Sequence, residues 1–236
     1  MSTCVISQPR FFPGLHYLHR MMVTDIFVIL DTVQFTPRHE ENRAKVKTPR
    51  GPQWITVPMR HVSREQLILE THLDGTQAWQ KKAIQTLETL YGKSPHFKSH
   101  APEVMEILER PHELLTALDR ASWEPALRLL GITCTFVCAS ELPVSGRGPS
   151  LLLDICKHLG VETYLSGASG REYLDVEHFK GEGVAVGFHE YTYPVYAQPH
   201  GEFLPFLSYL DMLFNVGLDR AMVAGGGRVL VPESTE

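Results

Sequence analysis

The stretch Cys4-Val-Ile-Ser-Gln-Pro9 is followed by Phe12-Pro-Gly-Leu-His16-Tyr-Leu-His19 and then by Asp25-Ile-Phe-Val-Ile-Leu-Asp31-Thr-Val-Gln34-Phe35. This pattern predicts an apolar strand, a Pro-Gly loop, a helix that opens with two histidines, and a second apolar strand. A strand–helix–strand unit of this kind is expected to be parallel and right-handed. The segment therefore predicts an α/β protein.

Polar side chains follow each of these strands or open the helix between them, and they are Gln8, His16, His19, Asp31 and Gln34. The carboxyl ends of adjacent parallel strands meet in one crevice, where free helix N–H groups favour an anion or a nucleotide. No standard phosphate-binding loop occurs elsewhere in the sequence. We therefore expect the functional site at this edge of the sheet.

Length and composition limit the class of protein. The 236 residues allow one large or two small domains, and a net charge of −5 gives no reason to expect non-specific nucleic-acid binding. The four cysteines form no C-x-x-C pair, so buried thiols are favoured over metal ligands or a disulfide, and no metal site is predicted. No leader or membrane-spanning run is visible, which predicts a cytoplasmic protein.

The rest of the chain alternates between strand and helix patterns, which favours a mostly parallel sheet of Rossmann-like type. Helices are predicted at 76–91, over 101–131 with a break at Pro111, at 151–159 with Ser150 as its cap, and at 206–217. Strands are predicted at 54–58, 133–139 and 163–166, and one or two strands at 184–196. We expect residues 1–75 and 131–224 to form the α/β core, 76–130 a helical subdomain, and 225–236 a loose tail.

The two histidines and Asp31 leave several functions open. His16 and His19 are three residues apart and can share one helical face. They can contact a phosphate, line the helix start, or bind a metal if a third ligand such as Asp31 is near. Asp31 at a strand end can bind a ligand hydroxyl, a magnesium ion or an amine, or it can cap a turn.

A basic segment follows the second strand. In an extended chain, Arg43, Lys45 and Lys47 project to one side, which suits a polyphosphate or a carboxylate, although a solvated face is the alternative. Arg38 and Asn42 belong to the same segment.

A second candidate turn follows the strand at 163–166. Its small residues allow the backbone to approach an anion, although a turn without a ligand is the alternative. The candidate ligand-binding residues of this turn are Ser166, Gly167, Ser169, Arg171 and Tyr173.

The chain resembles the WbqC-like protein family in stretches that cover most of its length. They are Ile6-Ser-Gln-Pro-Arg-Phe-Phe-Pro13, residues 25–35, Asn42-Arg-Ala-Lys-Val-Lys-Thr-Pro49, Gln53-Trp-Ile-Thr-Val-Pro58, residues 164–175 and Leu210-Asp-Met-Leu-Phe-Asn-Val-Gly217. The resemblance implies a link to surface polysaccharides and a glycine or acyl transferase role toward amino sugars.

A shorter likeness concerns nucleotide chemistry. Gly14-Leu-His16-Tyr-Leu-His19 is similar to the H-x-G-H signature of nucleotidyl-transferring enzymes of the HUP type, with Leu18 in place of the glycine. Val33-Gln34-Phe35 and residues 169–174 are similar to segments of pantothenate synthetase, which forms an amide through an acyl-adenylate. This likeness implies ATP with Mg²⁺ as the cofactor.

The expected function is transfer of an acyl or aminoacyl group to an amine of a small metabolite or amino sugar, through an acyl-adenylate. The residues expected to act in catalysis are His16, His19, Asp31, Arg43 and Arg171. Those expected to bind substrate or nucleotide are Gln8, Gln34, Arg38, Asn42, Lys45, Lys47, Ser166, Gly167, Ser169 and Tyr173. The alternatives are a transferase that uses an acyl carrier or aminoacyl-tRNA without ATP, and a non-catalytic protein that binds a sugar nucleotide. A homo-oligomer is left open.

Overall fold

The computed structural model describes residues 2–60 and 63–230 and contains one large sheet and one hairpin. The sheet has six strands in the spatial order β5-β2-β1-β6-β7-β8. Their bounds are β1 Thr3–Ser7, β2 Ile26–Ile29, β5 Thr135–Cys138, β6 Thr163–Gly167, β7 Ala185–Tyr191 and β8 Gly227–Leu230. The hairpin pairs β3 Arg43–Thr48 with β4 Gly51–Thr56.

The first five strands of that order are parallel, and only β8 runs antiparallel, against β7. The chain passes from β1 outward to β2 and β5 and then returns to β6 on the other side of β1. The strand order therefore reverses between β1 and β6, which is where open α/β sheets bind ligands. The predicted α/β fold with a mostly parallel, Rossmann-like sheet is confirmed.

Helices cover both faces of the sheet. They are α1 Leu15–Met22, α2 Trp79–Tyr91, α3 Phe97–Glu109, α4 Leu115–Leu130, α5 Gly148–Leu159, α6 Val176–Gly181, α7 Tyr209–Asn215 and α8 Arg220–Gly225. Helices α1 to α4 and α7 bury apolar side chains in one core with Val5 and Phe27 of the sheet. Helices α5 and α6 pack in a second core, with Ile6 and Val28 on the opposite face. Alternate residues of each strand supply the two cores.

The helix-rich middle of the chain is attached closely to this first core. The helical pattern over 101–131 breaks at Pro111 as predicted, because α3 ends at Glu109 and α4 begins at Leu115, with Pro125 inside α4. The ring of Trp79 at the start of α2 lies 6.4 Å from the ring of Phe11 near β1. The existence of a separate helical subdomain stays a prediction.

Two local expectations are wrong. Ser150 does not cap a helix, because α5 begins at Gly148 with Pro149 in its first turn and Arg147 as its N-cap residue. The fixed φ of Pro149 suits the first turn of a helix, so α5 begins before Ser150. In the expected loose tail, residues 227–230 form β8 because they pair with the end of β7. The remaining tail positions, 231–236, lie outside the described residues.

Among the described residues, no helix combines the length and the apolar character needed to cross a membrane.

Candidate functional site

The candidate site is a cluster of charged and aromatic side chains beyond the carboxyl ends of β1, β6 and β7, beside the first turns of α1. We call this cluster of Arg10, His16, Arg20, Lys45 and Tyr193 the cationic cleft. Because β1 ends at Ser7, Arg10 lies just beyond it, and α1 carries His16 and Arg20 one turn apart. The segment after β7 brings Tyr193 to the start of α1. These residues come from three separate parts of the chain and meet where the strand order reverses.

His16 is held on both ring nitrogens. Nη1 of Arg10 donates to Nε2 of His16 at 2.9 Å, and Nδ1 of His16 contacts the hydroxyl of Tyr193. Because a guanidinium can only donate, Nε2 carries the lone pair and Nδ1 carries the proton. Burial lowers the pKa of His16 well below its usual value, and the charge of Arg10 lowers it further. His16 is therefore neutral near pH 7, and its ring donates to the Tyr193 oxygen.

His19 of α1 forms a hydrogen-bonded pair with His189 of β7. The distance between Nδ1 of His19 and Nε2 of His189 is 2.9 Å. Burial lowers both pKa values, that of His189 to about 3, while a hydrogen bond with the Ala224 carbonyl raises that of His19. A Cβ on Gly227 would lie 2.1 Å from Cε1 of His19, so the ring rests directly on this backbone. The pair is neutral, and both residues are buried.

Arg20 is the most unusual residue of the site. Its side chain is buried, yet it makes no hydrogen bond or ion pair within residues 2–60 and 63–230, and its Nε is an unpartnered buried atom. The guanidinium stacks on the ring of Tyr17 at 5.2 Å, and a Cβ on Gly167 at the end of β6 would lie 3.7 Å from its Nη1. Burial lowers the pKa of Arg20 to about 10, and repulsion by Arg10 adds to this effect. A buried cation of this kind calls for an anionic partner.

Two further cations surround His16. The guanidinium of Arg10 also stacks on the Tyr17 ring, at 5.3 Å, and it forms an ion pair with Glu40. Lys45 belongs to strand β3 of the hairpin. The charges of Arg20 and Lys45 also lower the pKa of His16, which places both near its ring. The cleft therefore gathers three positive charges and one counter-charge, an arrangement that suits phosphate or carboxylate groups.

The hairpin also brings an aromatic residue next to these cations. Trp54 of β4 lies opposite Lys45 in the register, and its ring is 4.8 Å from Nζ of Lys45 and 3.9 Å from Cζ of Arg43. A small recess beside them is also lined by Gly14 and Phe206. The predicted projection of Arg43 and Lys45 to one side of an extended chain agrees with this geometry.

Other residues of the basic segment support the fold instead. Lys47 is buried and donates from Nζ to Oε1 of Gln198 at 3.2 Å and to the Glu202 carbonyl. Asn42 is buried and donates to the Val57 carbonyl at 2.9 Å. Arg38 is exposed and has a φ of 65°. For Lys47 and Asn42, internal hydrogen bonds take the donors that were expected to bind substrate.

Asp31 and Gln34 lie on the β2 side of the same edge. Oδ1 and Oδ2 of Asp31 accept from the backbone N–H and the hydroxyl of Ser140, at 3.0 and 2.6 Å. Asp31 thus joins the loops after β2 and β5, which gives a structural reason for a carboxylate at this strand end. Gln34 donates to the Arg64 carbonyl and lines an open cavity of about 960 Å³.

The residues at the end of β6 and in the turn that follows it lie on both faces of the sheet. Gly167 pairs with His189 and lies beside Arg20, whereas Ser166 pairs with Phe188 and is buried under Gly170. Arg171 stacks on Phe188 at 4.7 Å and donates to Glu190 at 3.0 Å. Because Phe188 and Glu190 alternate with His189 along β7, Arg171 is on the face opposite the histidine pair. Ser169 and Tyr173 are exposed, and Gln8 accepts the Tyr17 hydroxyl on its backbone carbonyl.

Sequence reasoning missed five residues of the cleft, namely Arg10, Arg20, Glu40, His189 and Tyr193. One signal was present: Arg20 lies four residues after His16, which places both on one helical face. Nothing local marks His189 or Tyr193, because their partners are 170 and 177 residues away in the chain.

Comparison with known proteins identifies relatives without a described activity. The WbqC-like protein family matches residues 8–222. The chain is 34% identical over 222 residues to "Uncharacterized protein Rv1507c" of Mycobacterium tuberculosis, covering 93% of this chain and 96% of that protein. No solved structure matches the chain significantly. The family match contains strands β2 to β7, the hairpin among them, and the residues of the cationic cleft, and the chain belongs to the WbqC-like protein family.

Proposed function

We propose that this protein transfers an acyl or aminoacyl group to the amine of a small metabolite or amino sugar, through an acyl-adenylate made from ATP. The observation that carries the proposal is the buried guanidinium of Arg20, which lies beside the end of β6 and has no hydrogen-bond or ion-pair partner among the described residues. Three cations around a neutral histidine favour a substrate that brings several negative charges, as a nucleotide triphosphate does.

In the first step, a carboxylate oxygen of the acyl donor attacks the α-phosphorus of ATP. A phosphorus–oxygen bond forms to the carboxylate, and pyrophosphate leaves with the electron pair of the broken bond. Arg10, Arg20 and Lys45 offset the charge that develops on the phosphoryl oxygens. Magnesium would be held by the phosphates of the nucleotide and would offset part of their charge.

In the second step, the amine nitrogen attacks the acyl carbon and the amide bond forms. The bond between the acyl carbon and the phosphate oxygen breaks, AMP leaves with its electron pair, and the amine releases a proton to solvent. His16 donates to the Tyr193 oxygen, so the hydroxyl proton of Tyr193 is free to point into the cleft. We assign Tyr193 to stabilise the oxyanion that forms at the acyl carbon, and His16 to hold Tyr193 in position. Arrangement of both substrates in one cleft supplies much of the acceleration.

The test combines a carboxylate panel with ATP and Mg²⁺ and measures pyrophosphate, then adds a panel of amines and measures AMP and amide. We expect pyrophosphate release by the wild type and its loss in Arg20→Met, with unfolding free energy unchanged or higher because an uncompensated buried charge is removed. Arg110→Met, which removes an exposed arginine paired with Glu106 and Glu124, is the matched control and should retain activity.

Other outcomes would overturn the proposal. Product from a thioester or aminoacyl-tRNA donor without ATP would show a carrier-dependent transferase. Tight binding of a sugar nucleotide, with no turnover in either assay, would show a binding protein.

A further inference from the structure

Phe206 combines two unfavourable properties. Its backbone has a φ of 62°, a left-handed conformation that is unfavourable for a bulky residue, and the residue is 59% exposed. Burial of the ring therefore offsets little of the unfavourable free energy of this backbone conformation. Glycine would adopt this conformation without strain.

The surrounding loop is firmly attached, so looseness does not explain the exposure of Phe206. Residues 192–207 form neither helix nor strand, which is a long loop for a compact domain. The buried carboxylate of Asp211 accepts from Tyr196 at 2.9 Å and from Gln198 at 2.8 Å. The backbone N–H of Ser208 donates to the Lys45 carbonyl at 2.8 Å, directly beside Phe206.

These attachments place the Phe206 ring at the mouth of the cationic cleft. Its centroid is 4.7 Å from that of Tyr193, whose hydroxyl contacts His16. Phe206 also lines the recess that contains Lys45 and Trp54. The Trp54 ring is already covered by two cations, so Phe206 offers the open aromatic surface next to the charges.

We propose that Phe206 is the stacking platform for the nucleobase of a nucleotide whose phosphates are bound by Arg10, Arg20 and Lys45. This inference rests on the proposed function and names the contact that distinguishes a nucleotide from other polyanions. A ligand that fits the site must join a planar ring to several negative charges. Stacking on an aromatic side chain accepts any base, so the contact supplies affinity more than base selectivity.

The experiment measures binding of ATP and of inorganic pyrophosphate by isothermal titration calorimetry to the wild type, Phe206→Gly and Phe206→Trp. We expect Phe206→Gly to weaken ATP binding by about 5- to 150-fold, as loss of one stacked base does. Pyrophosphate affinity should stay the same, and Phe206→Trp should retain ATP binding. The melting temperature of Phe206→Gly without ligand should be unchanged or higher, because glycine relieves the backbone strain.

Equal weakening of ATP and pyrophosphate, or a lower melting temperature with unchanged ATP affinity, would show that Phe206 has a structural role. If Phe206→Gly has unchanged ATP affinity and a higher melting temperature, the ring does not bind the base and has another role, such as contact with a protein. This result would also overturn the inference. If pyrophosphate binds the wild type as tightly as ATP, the stacking contact is wrong while the cationic cleft stands. If neither ligand binds, the proposed function fails as well.

Discussion

At the scale of single residues, the buried side chains of Arg20 and Asp119 both lack a hydrogen-bond partner among the described residues. Arg20 lies near the open edge of the sheet, where a ligand can supply the missing charge. Asp119 of α4 is completely buried, and neither carboxyl oxygen has a hydrogen-bond partner in the described part of the chain. Burial raises the pKa of Asp119 well above its usual value, and the nearby Glu41 raises it further. Asp119 therefore favours the protonated state in the folded protein.

This raised pKa predicts that stability falls as pH rises. The folded state holds a proton that the unfolded state releases near pH 4, so the free energy of unfolding should decrease from about pH 4 up to the folded pKa. Asp119→Asn should flatten this dependence and increase stability at neutral pH by about 1–3 kcal/mol. Urea unfolding at several pH values measures both effects. The control Asp74→Asn removes an exposed carboxyl whose pKa is lowered by Thr76, so its pH effect should have the opposite sign.

At the scale of elements, strand β3 carries two lysines on one face with different environments. Lys45 is half-buried near His16, whereas Lys47 is buried and donates to the loop at Gln198 and Glu202. We predict that Lys45→Met weakens pyrophosphate binding by about 1.5–3 kcal/mol, with little change in melting temperature. Lys47→Met should lower the unfolding free energy by about 1–3 kcal/mol, because it removes both hydrogen bonds by which a buried ammonium attaches this loop to β3. Calorimetry and thermal unfolding on both variants give the comparison, and identical behaviour would contradict it.

The elements that sequence could predict are those whose signal is local. The unit from β1 through α1 to β2 has apolar runs, a Pro-Gly loop and helical spacing within about thirty residues. Strand β8 has no such signal, because Gly227-Arg-Val-Leu230 becomes a strand only by pairing with Tyr191 and its neighbours in β7. The start of α5 was misplaced because Ser150 and Pro149 both favour a helix start, and the proline determines it.

At the scale of the whole molecule, the helix-rich middle and the sheet share one core. Phe27 of β2 packs on Trp123 of α4 at 6.2 Å, and Tyr209 of α7 donates to the Ser122 carbonyl at 2.8 Å. We therefore predict one cooperative unfolding transition, with coincident loss of far- and near-ultraviolet circular dichroism in urea. A fragment of residues 76–130 alone should stay unfolded. Two separated transitions, or a folded fragment, would instead support an independent helical subdomain.

The position of the candidate site at the carboxyl edge of the sheet could be predicted from the sequence, whereas several of the residues that form it could not. The carboxyl edge of the sheet follows from the strand–helix–strand pattern, and His16 lies there. The contact of Asp31 with Ser140 could not be predicted, because the two residues are 109 positions apart in the chain. Arg20 was missed because a charged residue on a short helix is ordinarily exposed, and only the packing against Tyr17 buries it.

Two of the three tryptophans touch the cationic residues of the cleft. Trp54 lies under Arg43 and Lys45, and the indole N–H of Trp123 donates to the Arg10 carbonyl at 2.8 Å. Indole emission responds to neighbouring charge and to hydrogen bonding, and an arriving anion changes both at these rings. The molecule thus contains intrinsic fluorophores at the candidate site, and libraries of unlabelled metabolites can be screened by their effect on its fluorescence.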